Sequence, residues 1–162
     1  SSNYAAGYHY PLPFENASLE YYLFLLLDLG NGDNPSTSFT TEEGSGGKTA
    51  ADIAPLVWYI PDNIYVDEVY SLQGADTSTG DTTRMHLMSY DFNSGVSACL
   101  TNGTLVAQSS DITNDGSEQV YLSTWTVNSP SVSSGKVILA TFECDTVNSD
   151  YSVNVRVKYH LI

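Results

Sequence analysis

Residues 151–162 alternate between apolar and polar side chains almost without a fault. Tyr151, Val153, Val155, Val157, Tyr159 and Leu161 fall in one row, and Ser152, Asn154, Arg156, Lys158 and His160 fall in the other. A helix cannot sort side chains in this way, whereas an extended chain with one face on a core and one in water does. The pattern predicts a half-buried strand and points to an all-β domain.

Further strands are expected at 56–60, 64–72, 82–92, 105–108, 119–128 and 136–144. The segments between them are rich in Gly, Asp, Ser and Asn, the residues that turns select. Residues 131–136 (SVSSGK) should turn the chain between two strands, with Lys136 opening the next. About eight antiparallel strands with such punctuation predict a jelly roll or β-sandwich. Their spacing is too uneven for a propeller or solenoid, and there is no internal repeat. Residues 19–29 (LEYYLFLLLDL) can be read as a strand or a buried helix. The turn residues Gly30–Asp33 and the frequent aromatics favour a strand. Rows 19–29 and 151–161 would then be opposing core faces, each buried Val or Leu contributing about 1.5–3 kcal/mol. Apolar residues on second faces would be covered at subunit contacts.

Two stretches depart from this rhythm. Residues 30–55 form a long Gly/Ser/Thr/Asn loop inside the sandwich domain, taken as 19–162. Residues 1–18 (SSNYAAGYHYPLPFENAS) have no period, and Pro11 and Pro13 impose extended geometry while removing donors. They read as an extended N-terminal docking arm. Tyr4, Tyr8, His9, Tyr10 and Phe14 are its candidate partner-binding residues, expected to seat in grooves of another subunit. The alternative is that these rings pack on their own domain.

Nineteen acidic residues against five basic ones give a net charge of −14, which argues against nucleic-acid binding because phosphates need a basic footprint. Charged residues are only 15% and hydrophobic ones 41%, so the chain can build a core rather than remain a disordered polyanion. The plain reading of the charge is a soluble surface that resists self-association. No run of about eighteen apolar residues exists to span a bilayer. Cys99 and Cys144 lack metal-ligand spacing and sit in apolar stretches, so buried free thiols are the default and a disulfide the alternative.

No catalytic set can be argued, and the chain is expected not to be an enzyme. His9, His86 and His160 form no pair with ligand spacing, so no metal site is expected. His86 shares a strand face with Arg84 and Met88, which favours a packed or interfacial histidine. There is no GxSxG elbow. The 44–49 stretch GSGGKT lacks the spacing of a phosphate loop and reads as a flexible loop. Asp28, Asn31 and Asp33, and separately Asp111, Asn114 and Asp115, offer oxygen ligands without the order of a calcium loop; Asx-turns explain them equally. Asn16 and Asn102 begin glycosylation acceptor patterns that matter only in a secretory host. No cofactor is implied. The twelve tyrosines exceed what a core needs and point to contact surfaces.

Residues 57–92 (VWYIPDNIYVDEVYSLQGADTSTGDTTRMHLMSYDF) and 109–162, with SGKVIL at 134–139 and VKYH at 157–160, resemble structural proteins of tailed bacteriophages. The resemblance covers roughly two-thirds of the chain and implies a trimer-forming jelly roll on the outer surface of the virion. The function it implies is capsid decoration: a cement protein binding between major capsid subunits and stabilising the head without turnover. Its expected partners are the major capsid protein and itself. The alternative is a tail-fibre or spike module recognising a host surface ligand such as a glycan; a carbohydrate-binding or carbohydrate-active sandwich is a third reading. Independently of function, Val155→Asp would place an unpaired charge in the core. This substitution is expected to abolish the cooperative thermal transition followed by circular dichroism.

Overall fold

The computed structural model describes residues 6–15, 29–30, 34–41, 49–75, 80, 82–114, 118–144 and 151–162. Among these residues the chain is an antiparallel β-sandwich. The strands of its first half are β1 (Ala6–Glu15), β2 (Leu29–Gly30), β3 (Asn34–Pro35), β4 (Trp58–Tyr59), β5 (Ile64–Ala75) and β6 (Thr82–Phe92). Those of the second half are β7 (Leu100–Gln108), β8 (Ile112–Thr113), β9 (Gln119–Thr124), β10 (Thr126–Val127), β11 (Ser131–Val132), β12 (Lys136–Cys144) and β13 (Tyr151–Leu161). One helical turn, α1 (Ala50–Ile53), precedes β4.

The first sheet runs β1-β13-β5, with β9 and β11 both pairing along the far side of β5. The second runs β10-β7-β6-β12-β4, with β8 beside the start of β6. β2 and β3 form a separate two-stranded piece. The alternation of 151–162 is realised: Tyr151, Val153, Val155 and Val157 are buried and Ser152 is exposed. Only the end departs: Leu161 is exposed although its cross-strand partner Ile64 is buried. The layer facing β13 comes from the second sheet, for example Phe142, whose ring centroid is 5.3 Å from that of Tyr151. A buried polar contact also joins the sheets, Gln73 Nε2 donating to Thr83 Oγ1 at 2.8 Å. The 19–29 row expected to oppose β13 lies outside the described residues apart from Leu29.

β6 needs no subunit contact to close its second face. Met85, His86, Leu87, Met88, Ser89 and Tyr90 are all buried, so both of its faces are covered within the chain. Part of that cover is Phe39, which bridges to Leu100 from the stretch read as a loop and meets Tyr90 edge-on at 5.4 Å. The Tyr90 hydroxyl donates to Ser36 O at 2.8 Å. The stretch also holds α1, closed by a capping box in which Thr49 and Asp52 satisfy each other's backbone N–H groups. Residues 30–55 are therefore partly structural lining.

The strand expected at 119–128 is two strands in different sheets. Trp125 stands at the break: its N–H donates to Val69 O and its indole Nε1 to Ser71 Oγ, both at 2.9 Å. A buried Trp needs a partner for its N–H, and holding it here turns the backbone from β5 toward β7. The turn expected at 131–136 is narrowed to 133–135, because Ser131–Val132 pair with β5 as β11; Gly135 takes φ 83 before Lys136 opens β12.

Gly103 marks the tightest approach. A Cβ there would lie 2.5 Å from Tyr90 Cε1 and 2.9 Å from Thr37 Cα, and its N–H already donates to Thr37 O. Gly103→Ala is expected to cost about 1–3 kcal/mol in denaturant titrations, since the Thr37 backbone cannot rotate away as a side-chain tip could.

Candidate docking surface

The side of the first sheet turned away from the core is built by register. Leu122 of β9, Leu72 of β5 and Asn154 of β13 stand in one cross-strand row; Thr124, Tyr70 and Arg156 form the next. Val120 lies opposite Gly74, and Lys158 opposite Glu68. The inward side of β9 is occupied by Tyr121, Ser123 and then Trp125, so Val120 and Leu122 point out and are 74% and 69% exposed. Leu72 is 40% exposed beside them. An apolar cluster in one place on an acidic molecule marks a contact site more clearly than scattered exposed residues would. Two of the chain's five basic residues, Arg156 and Lys158, share this face.

The two margins of the sheet differ. β1 lies along β13 from Ala6↔His160 to Glu15↔Ser152, and its register shifts between His9 and Leu12, where Tyr10 and Pro11 stand. Tyr8 is opposite Lys158, His9 opposite Val157 and Phe14 opposite Val153. Four of the five candidate arm residues thus fall on a strand of the chain's own sheet; Tyr4 lies outside the described residues. On the other margin, β9 carries no charged residue and no proline. Sequence reasoning assigned Leu72, Val120 and Leu122 to no site. Apolar residues at alternate positions look like core, and only the burial of Ser123 and Trp125, with Tyr121 half-buried beside them, reverses the faces.

Near the far end of this sheet, His160 Nδ1 lies 2.9 and 3.0 Å from the two carboxylate oxygens of Asp67, and its ring tilts over Tyr65 at 5.3 Å. The extra residue that places Asp67 there is a β-bulge in β5 opposite Lys158 and Tyr159. On the second sheet, Asp91 receives Lys136 Nζ at 2.6 Å and Asn102 Nδ2 at 2.7 Å. These hydrogen bonds, Lys136 first, hold its carboxyl below the usual range. Asn102, the residue of the NGT pattern, adopts φ 52 to make that contact.

His86 is packed, with 0% exposure, and both ring nitrogens lack a hydrogen-bond partner among the described residues. Thr141, its register partner on β12, has a buried Oγ1 in the same condition. Burial, helped by the Arg84 charge, pushes the imidazole down to about 4 against a weaker opposing pull from Asp111. The second oxygen-rich cluster is engaged internally: Arg84 Nε holds Asp111 at 2.7 Å, and Asn114 Oδ1 accepts from the Tyr121 hydroxyl at 2.9 Å. Asp115 and the Asp28, Asn31 and Asp33 group lie outside the described residues. Among the described residues no three His, Cys, Asp or Glu side chains converge as metal ligands, and no helix is long and apolar enough to cross a membrane. Cys99 is a free, buried thiol. Thr49 is the described residue of the GSGGKT stretch, and it caps α1.

No family model matches this chain, and no curated protein is significantly similar to it.

The sign of the His86 effect follows from its depressed value. Above pH 6.5 the imidazole is neutral folded or unfolded; as pH falls toward 4 only the unfolded chain takes the proton, so stability declines over that window. Denaturant titrations at pH 7 and pH 4 are expected to show wild type losing up to about 3 kcal/mol more than His86→Leu.

Proposed function

We propose that this chain is a structural, non-catalytic protein of a virion surface, a capsid decoration protein that binds major capsid subunits and stabilises the head. The virion setting rests on the sequence resemblance. The observation that carries the binding role is the outer face of the first sheet, where Leu72, Val120 and Leu122 remain exposed beside Arg156 and Lys158 in a chain of charge −14.

The physical logic is a division of labour. A predominantly acidic surface favours solubility and disfavours non-specific association. The outer face, where Leu72, Val120 and Leu122 lie with Arg156, Lys158 and Glu68, is where burial can be gained, about 1.5–3 kcal/mol for each Val or Leu fully covered. A capsid subunit with apolar and acidic groups complements it, the cations giving orientation and the apolar side chains most of the affinity. Binding of this kind ties neighbouring subunits together and stabilises the bound form by mass action, with no chemical step. β6, covered on both faces, gives the docking sheet a rigid backing.

The test is co-sedimentation of the purified protein with heads stripped of it, together with the temperature at which heads release DNA. The protein is expected to bind and to raise that temperature. Leu72→Asp with Lys158→Glu is expected to weaken binding by about tenfold or more, while the free protein keeps its circular dichroism spectrum. Unaltered head binding by this variant would place docking on another face. Binding to host cells or tail fibres in place of heads would overturn the decoration role in favour of a receptor-binding one.

A further inference from the structure

We propose that β9 is the seat of a two-fold self-association, in which two copies join antiparallel and edge to edge with Leu122 at the axis, so that their first sheets continue into one. The backbone supplies the first reason. Trp125 N–H donates to Val69 O, and the register continues as Tyr70↔Thr124 and Ser71↔Ser123. In an antiparallel ladder hydrogen-bonded pairs alternate, so Ser123, Tyr121 and Gln119 bond to β5. The N–H and C=O groups of Val120, Leu122 and Thr124 therefore face the open margin, where no described strand pairs with them.

The second reason is that this margin lacks the devices that blunt the edge strands β1, β4, β10 and β11. Sheet edges are ordinarily blunted by charge, proline, bulges or brevity. β1, at the opposite margin, carries Pro11, Pro13 and a register shift. β4, β10 and β11 are two residues each. β9 has six residues, neither charge nor proline, and the two most exposed aliphatic side chains named above.

These facts select a second copy as the occupant. Pairing β9 with β1 of another molecule would build an open chain, but the prolines and bulge of β1 obstruct it. Pairing β9 with itself closes. With Leu122 opposite Leu122 of the other copy, Val120 meets Thr124 and all three outward-facing residues of each strand find backbone partners. Glu118 falls opposite Thr126, so no like charges meet across the pair, and a margin without charge is where molecules of net charge −14 can approach most closely. The symmetry is two-fold, unlike the three-fold association that the phage resemblance implies. Its axis stands perpendicular to the sheet, so both outer faces look the same way. The association is read in solution without capsids, and its failure is distinguishable from failure of the decoration role.

Sedimentation of the full chain at about 100 µM is expected to give twice the 17.6 kDa monomer mass. Leu122→Lys should sediment as a monomer with an unchanged circular dichroism spectrum, because the side chain is exposed. Leu122→Cys should form a disulfide-linked dimer under mild oxidation, since directly opposed residues lie within disulfide reach. Val120→Cys, which faces Thr124, should not, and wild type under the same oxidant controls for Cys99 and Cys144. A wild-type monomer at that concentration, a trimer, or a dimer indifferent to Leu122→Lys would each overturn the proposal.

Discussion

The register between β5 and β13 governs what the rest of the molecule can be. Eleven cross-strand pairs, from Tyr151↔Ala75 to Leu161↔Ile64, set Val153, Val155 and Val157 against the second sheet. A slip of one residue would exchange rows, sending Arg156 and Lys158 inward and the valines into water. The burial of several branched side chains opposes that slip far more strongly than the hydrogen bonds alone, which either register could form. The same pairing places Asn154 beside Leu72 and Arg156 beside Tyr70, so the composition of the outer face is a by-product of core register. One bulge is admitted, at Asp67, between the buried Val66 and Val69, and His160 takes the displaced carboxylate.

The second sheet solves a different problem. Its central strands are covered on both sides, so alternation no longer has a wet face to report. Polar side chains caught there need partners from the chain, and most have them: Tyr90 reaches Ser36 and Thr83 reaches Gln73. Among the described residues, His86 and Thr141 do not. Their neighbouring positions concentrate the unmet polar demand of the described core in one cross-strand pair, which makes this sheet the one that acid should loosen first.

Much of the architecture could be read before any coordinates. Strands at 82–92 and 136–144 coincide with β6 and β12 because β-branched and aromatic runs end in Gly, Ser and Asp. Where the reading fell short, tertiary partners decided. At 119–128 the residue pattern continues through Trp125, and the break exists only because Val69 and Ser71 capture its backbone and indole. At 34–41 a run of Ser and Thr looks like loop, yet Phe39 is drawn onto Tyr90. At 56–60 the apolar run outlasts its strand, since Leu56 closes the turn after α1 and β4 begins at Trp58. The outer face of the first sheet was the least legible part. Val120 and Leu122 carry the chemistry of interior residues, and what turns them outward is the hydrogen-bonding appetite of Tyr121 and Trp125 on the other side.

The crossing at Trp125 also bears on how the domain would respond to force. Because β9 is laddered to β5 and β10 to β7 within one unbroken stretch, that stretch is a tie rod between the layers. Parting the layers would load ladders at both of its ends together, along with a buried indole wedged at the junction. Resistance to tearing then comes from continuous covalent backbone rather than from side-chain contacts alone.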